Sequence, residues 1–292
     1  MIVTERGKNE EQIMIIVTGA TGNIGRPLVR ALAQAGRPVT AVSRRAAEVP
    51  DGVRHFAADL ADPAALEPAL AGAQALFLLL SGDLHAAGAD PAGIIGRAAA
   101  NGVRRVVLLS SQGVATRPFG PTRVAMRELE DGLRTSGLEW AVLRPGGFAS
   151  NALWWAGSVR AERTVAAPFG DVGVPLIDPA DIAGVAAACL LDDRHTGAVH
   201  DLTGPELITP RQQAAAIADA LGSPVRFHEL TRAQAKAAMV QGMPAELADD
   251  TLDILGAPNP AELRVSPDVE RVLGRAPRRF ADWAARNVAA FR

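Results

Sequence analysis

Tyrosine is missing from this chain of 292 residues, and cysteine occurs once, at Cys189. With a single cysteine no internal disulfide framework exists, so a reducing compartment is the natural setting, and Cys189, inside the apolar stretch DIAGVAAACLL, reads as a buried inert thiol. Long apolar runs are also missing. Residues 75–80 form one of the longest, far short of a bilayer span, and the leading MIVTERGKNEEQ lacks the apolar core of a secretory signal. The expected location is the cytoplasm. Excess charge of either sign is absent as well: the net charge is −2 and the arginines are spread along the chain, which argues against nucleic acid or an anionic membrane as a partner. The five histidines, at positions 55, 85, 195, 200 and 228, show no metal-ligand spacing, and neither do the acids, so no metal is implied. Nor is there a Ser-His-Asp or Cys-His arrangement for hydrolysis; GPELIT is not a nucleophile elbow.

What remains is an ordinary globular composition, 48% hydrophobic and 21% charged. Short β-branched or leucine-rich runs alternate with alanine-rich helical patterns, the mark of successive βαβ units and a parallel sheet. Strands are expected over 13–18, 38–43, 53–59, 75–80, 103–111 and 139–145, mostly continuous apolar runs, as strands buried on both faces must be. Helices are expected over 26–35, 63–71, 91–101 and 123–136, closed by Gly36, Gly72, Gly102 and Gly137. After Asn151 the rhythm loosens to a helix following Asp178, a strand near 198–202 and a mostly helical tail over 209–292. Residues 1–12 read as a loose tail, and Met14 is a candidate natural start.

The segment VTGATGNIGRPLVRAL sets Gly19, Gly22 and Gly25 between the first strand and the first helix, where backbone can approach a pyrophosphate that the helix N-terminus attracts. Gly19 is assigned the tight turn, Gly22 the approach of the phosphates and Gly25 the helix–sheet contact, with Thr21, Asn23 and Ile24 in the same cradle. The expected fold is therefore α/β: a doubly wound parallel sheet of Rossmann type over 13–150, joined again by 175–204, with a smaller, mostly helical substrate-binding cap from 151–174 and 205–292. At the end of the second strand, where an acid would grip the ribose of NAD, stand Ser43, Arg44 and Arg45. A hydroxyl and two guanidiniums suit a 2′-phosphate, so NADP(H) is expected in preference to NAD(H). Asp59 and Leu60 are candidates to touch the adenine, although Asp59 serves equally well as a turn cap. Leu80, Ser81 and Gly82 after the fourth strand, and Ser110 after the fifth, complete the candidate cofactor set.

These residues give the chain a resemblance to the NmrA-like branch of the atypical short-chain dehydrogenase/reductases, carried by VTGATGNIG, LLSSQGV, ELEDGLRTSGLEWAVLRPGGFASN, VPLIDPADIA and HDLTGPELIT. The resemblance implies that Pro145, Gly146, Gly147 and Phe148 line the nicotinamide end of the cofactor. It also implies a serine, tyrosine and lysine at the catalytic edge; their positions here fall on Ser111, Thr122 and Met126, the last two substituted. Threonine is too weak an acid and methionine carries no charge, so ordinary ketone reduction is not expected. An acceptor that disperses the incoming charge, such as a quinone, azo dye, enone or iminium ion, needs no donor poised beside it. Members of the family also act as NADP-binding redox sensors through a protein partner, and a non-redox biosynthetic enzyme is a further reading of the same fold.

Ser111 serves either as a hydrogen-bond donor in the site or as a turn cap. Gln112, Phe148, Asn151, Trp154 and Trp155 are the candidate substrate residues; the tryptophan pair either stacks on a planar acceptor or packs in the core, and Phe119 and Phe169 are weaker candidates. His85 is a substitute acid or a solvated loop residue, and Asp178 and Asp181 read as helix caps. The expectation is an NADPH-dependent oxidoreductase that acts on a conjugated small molecule.

Overall fold

The computed structural model describes residues 13–80, 90–119 and 121–292. Its main sheet is entirely parallel, with strands β1 (Ile15–Val17), β2 (Val39–Ser43), β3 (Arg54–Ala57), β4 (Ala75–Leu79), β5 (Arg105–Leu109), β6 (Glu139–Pro145) and β8 (Ala198–Leu202) in the order β3-β2-β1-β4-β5-β6-β8. Because the order reverses between β1 and β4, the loops leaving those two strands diverge and open a crevice at the carboxyl edge, which is where ligands of such sheets bind. The central strands β1 and β4 are buried almost throughout, with only Leu79 at the end of β4 partly exposed, as their uninterrupted apolar sequences require.

Helix α1 (Gly25–Gln34) packs beside α7 (Pro179–Leu191) on one face, in a core that includes Leu28, Leu32, Ile182 and Val185. The other face is covered by α2 (Glu67–Leu70), α3 (Pro91–Ala100) and, after the single turn α4 (Gly113–Thr116), α5 (Pro121–Thr135), with Leu66, Ile94 and Leu133 wholly buried. Gly36, Gly72, Gly102 and Gly137 all have positive φ, the conformation a glycine tolerates and other residues resist. The helix expected over 63–71 is split into a 3-10 turn at Pro63–Leu66 and the single turn α2, because Pro68 has no N–H to continue the ladder.

The tail over 209–292 is mostly helical, as expected, but a small second sheet that the sequence did not signal joins it to the segment after β6. Strand β7 (Thr164–Pro168) pairs in parallel with β9 (Arg226–Leu230) in a separate two-stranded sheet. TVAAP and RFHEL are short and contain no long apolar run, so their partnership depends on a contact distant in sequence. Around them lie α6 (Ala156–Glu162), α8 (Pro210–Leu221), α9 (Arg232–Met239), α10 (Ala245–Gly256), α11 (Asp268–Leu273) and α12 (Phe280–Arg286). Phe280, Trp283 and Phe291 join Val159, Val165 and Ile217 in a third core under this region. Among the described residues no helix is long and apolar enough to cross a membrane.

Candidate active site

The glycine loop follows from steric necessity. Gly19 has φ +61°, a left-handed turn. A Cβ at Gly25 would stand 2.2 Å from the Gly19 carbonyl oxygen and 2.6 Å from the Ala20 Cα, both backbone atoms, so α1 can start this close to β1 only through glycine. Gly22 is exposed, and its N–H donates to the Gly19 carbonyl at 3.0 Å. Together these leave bare backbone at the N-terminus of α1, the surface a pyrophosphate requires. Asn23 extends from the loop and donates to the Ser150 hydroxyl at 2.7 Å, tying the cradle to the segment after β6. Thr21 is partly buried and Ile24 is buried in the core beneath the loop.

Beyond β2, Arg44 and Arg45 are exposed, with no ion-pair partner among the described residues. The Ser43 hydroxyl is already committed: it donates to the Arg45 carbonyl at 2.8 Å and lies 2.8 Å from His55 Nε2. It therefore shapes the turn that presents the two arginines. Asp59 accepts from the Ala61 N–H at 3.0 Å, the turn-cap alternative, while Leu60 is buried in the core under α2 and α3 instead of facing a cavity. Ser81, Gly82 and His85 lie outside the described residues.

Two cavities meet at the carboxyl edge. The first, of about 420 Å³, is bounded by Asn23 and Ile24 of the glycine loop, Leu80, Ser110, Ser111, Met126 and the Pro145–Phe148 turn. The second, of about 550 Å³, is walled by Trp154, Trp155, Pro168, Leu176, Met239, Ile254 and Leu255, with Gln112 and Gln213 among its few polar groups. Gly147, Phe148 and Asn151 line both, so the two spaces share a wall. Asn151 is exposed there and makes no side-chain hydrogen bond among the described residues.

At the carboxyl edge Ser111 Oγ accepts the Gly113 N–H at 3.1 Å, the turn-cap alternative, while Ser111 also borders the first cavity. Met126, expected at the position of the family's lysine, lines the first cavity. Thr122 lies in the first turn of α5, four residues earlier. Ser110 borders the first cavity, and its hydroxyl donates to Glu130 at 2.6 Å. Glu130 is fully buried and accepts from Arg144 at 2.5 and 3.0 Å and from Arg134 at 2.8 Å. Burial alone would raise its pKa, but the hydrogen bonds from Arg144, Ser110 and Arg134 outweigh it and hold the carboxyl below the usual range. This node locks α5 to the ends of β5 and β6, and nothing in the sequence spacing of Ser110, Glu130 and Arg144 announced it.

The tryptophans separate. Trp154 is 64% exposed at the cavity mouth, whereas Trp155 packs against the third core and offers the cavity one side. Phe119 is exposed without lining either cavity, and Phe169 covers Gly256. Asp178 caps α7 through the Ala180 N–H, as expected, but Asp181 does not act as a cap: it is wholly buried and binds Arg275 at 2.6 Å, the Arg278 N–H at 2.6 Å and the Arg278 guanidinium. One charged group in the second cavity was missed, Glu262, which is buried and held by Arg117 at 2.7 and 2.9 Å, by Thr116 at 3.2 Å and by the Asn259 N–H at 2.9 Å. Burial opposes its ionisation, yet Arg117 and the Asn259 N–H keep its pKa below the usual value. Also unannounced by spacing, Cys189, His195 and His200 bring their ligand atoms within 4.8 Å of one another, and burial pushes the Cys189 thiol up to about 12.

Comparison with known proteins agrees with this geometry. A family described as NAD(P)H-binding matches residues 19–193. The chain is 38% identical to a (4-alkanoyl-5-oxo-2,5-dihydrofuran-3-yl)methyl phosphate reductase of Streptomyces griseus, covering 95% of this chain and 99% of that one. It is 34% identical to an NAD(P)H azoreductase of Xenophilus azovorans, again over 95% and 99%. Among solved structures it superposes on the NADPH complex of an NADPH-dependent quinone oxidoreductase from Escherichia coli with a TM-score of 0.77 at 28% identity, covering 94% and 99%. With its glycine cradle, its reversed strand order and these full-length likenesses, the chain belongs to the NAD(P)H-binding family and is an NAD(P)H-dependent oxidoreductase.

Proposed function

We propose that this chain is an NADPH-dependent reductase of neutral, conjugated small molecules. The observation that carries the reading is the apolar 550 Å³ cavity sharing Gly147, Phe148 and Asn151 with the glycine-loop cavity. Apolar walls with a few convergent polar groups suit a flat organic ligand, and the volume suits one of drug size. Among the described residues the only charged side chain lining it is Glu262, already neutralised by Arg117. A phosphate ester would find no cation there, so of the acceptors named in the relatives, azo compounds and quinones fit these walls better than the dihydrofuranone phosphate.

The residues divide the work. Gly19, Gly22 and the N-terminus of α1 bind the pyrophosphate, and Arg44 and Arg45 take the 2′-phosphate. Bound NADPH supplies a hydride at its nicotinamide. Phe148 and Gly147 hold the acceptor at the shared wall, Asn151 orients it with a free amide, and Trp154 covers it at the mouth. Ser111 offers a hydrogen bond from its hydroxyl to an acceptor heteroatom, without giving up the proton. Met126 can neither give a proton nor lower a neighbour's pKa, which restricts turnover to acceptors that disperse charge until solvent protonates them.

The test is NADPH consumption with neutral quinones and azo dyes beside phosphate monoesters of similar unsaturation. Turnover confined to the neutral compounds is expected. Preference for the phosphates, or tight NADPH binding with no turnover on any acceptor, would overturn the proposal; the second result would move the chain to the sensors.

A further inference from the structure

On the outer edge of the sheet, Cys189 near the end of α7, His195 at the close of the 3-10 turn Asp193–His195 and His200 in the middle of β8 face one another. None of the three lines either cavity. One thiol and two imidazoles converge with their donor atoms within 4.8 Å, and the His195 and His200 rings meet edge to face at 5.3 Å. His200 Nε2 is buried without a hydrogen-bond partner, a rare condition for a ring nitrogen and one that metal coordination would relieve. Cys189 is 1% exposed while His195 is only partly covered, so the cluster has a closed side and an approach. The neighbouring positive charge, Arg105, is paired to Glu139 and Asp193 and does not repel a cation unopposed.

We infer that Cys189, His195 and His200 form a site for one borderline d-block divalent cation, of which Zn²⁺ fits the donors best. A thiolate and two imidazoles are the ligands that such an ion prefers over carboxylate oxygen. Ligands at about 2.0–2.3 Å from a common centre require these donors to draw in by roughly an ångström, within the reach of rotamer changes on a turn and an edge strand. Binding exchanges the Cys189 thiol proton for the metal, without oxidation or reduction, and the fourth position is left to water on the His195 side. The bound ion ties the last strand of the sheet to α7, a structural role separate from reduction.

The experiment uses the full-length protein stripped with a chelator and titrated with Co²⁺. A thiolate-to-cobalt charge-transfer band in the near ultraviolet, with tetrahedral bands in the visible, is expected to saturate at one equivalent and to be displaced by Zn²⁺. Zn²⁺ is also expected to raise Tm by several degrees and to slow alkylation of Cys189 by N-ethylmaleimide at least tenfold. Cys189→Ser should abolish the thiolate band. His195→Ala, on a partly exposed turn, should weaken metal binding at least tenfold and leave NADPH consumption unchanged, so the inference stays testable if the serine variant does not fold. Absence of the thiolate band in the native protein, or a Zn²⁺-induced rise in Tm that persists in His195→Ala, would overturn it.

Discussion

Single atoms decide how the cofactor sits. The added methyl of an alanine at Gly25 would fall on the Gly19 carbonyl, so the nearness of α1 to β1 depends on one missing carbon. Arg44 and Arg45, proposed to take the 2′-phosphate, stand exposed on a turn whose serine hydroxyl is already satisfied. Changing both to alanine should weaken NADPH binding at least about tenfold while NADH binding changes little, since each charge-assisted contact to phosphate contributes roughly 1.5–3 kcal/mol. Nicotinamide fluorescence titration of both cofactors checks this, and equal losses would show that the arginines do not read the 2′-phosphate. At this scale the glycine positions were legible because they are backbone requirements written in sequence order. The side-chain directions of Ser110 and Leu60 were not: each lies past the end of its strand, and only partners distant in sequence turn one toward Glu130 and the other into the core.

Elements hold these atoms in place. The carboxyl edge of β5 and β6 is fastened to α5 by Glu130, whose two oxygens collect Ser110, Arg134 and Arg144 inside the protein. Glu130→Gln should destabilise the fold by roughly 3 kcal/mol at neutral pH, because it leaves buried guanidinium unopposed. The folded carboxyl has a depressed pKa, so its contribution is complete above the ordinary value of 4.5 and fades as pH falls through the lower folded value. Urea midpoints should therefore separate wild type from variant at pH 7 and converge as pH drops below 4.5; a constant gap would deny Glu130 that role. The strands of the main sheet and the helices between them were readable from uninterrupted apolar runs and glycine stops. β7 and β9 were not, because each is a five-residue strand with little apolar pattern of its own, stabilised by a partner some sixty residues away.

Across the whole molecule, the tail closes the site by clasping the segment after β5. Arg117 and Thr116 hold Glu262, Asn259 donates to the Thr116 carbonyl at 3.0 Å, and Arg123 meets Asp250 at 2.9 Å. Arg117→Ala would leave Glu262 buried without its counter-ion beside the substrate cavity. Its KM for acceptor should rise about tenfold with NADPH affinity unchanged, and adding Glu262→Gln should recover part of the loss by removing the stranded charge. Steady-state kinetics of the two variants decide it; a loss centred on NADPH would place the clasp with the cofactor instead. That the tail packs over the carboxyl edge was foreseeable, but the charged pair it contributes there was not, since Glu262 acquires meaning only from an arginine 145 residues away.

The proposed site would deliver electrons with no tyrosine or lysine to manage the proton. The measurement that tests this most directly is kcat/KM with NADPH for a quinone and for a plain ketone of the same carbon skeleton. The missing donor predicts a preference for the quinone of at least about a hundredfold, the usual contribution of a positioned acid. Comparable rates for both would mean that the protein supplies a proton donor after all, and would contradict the account.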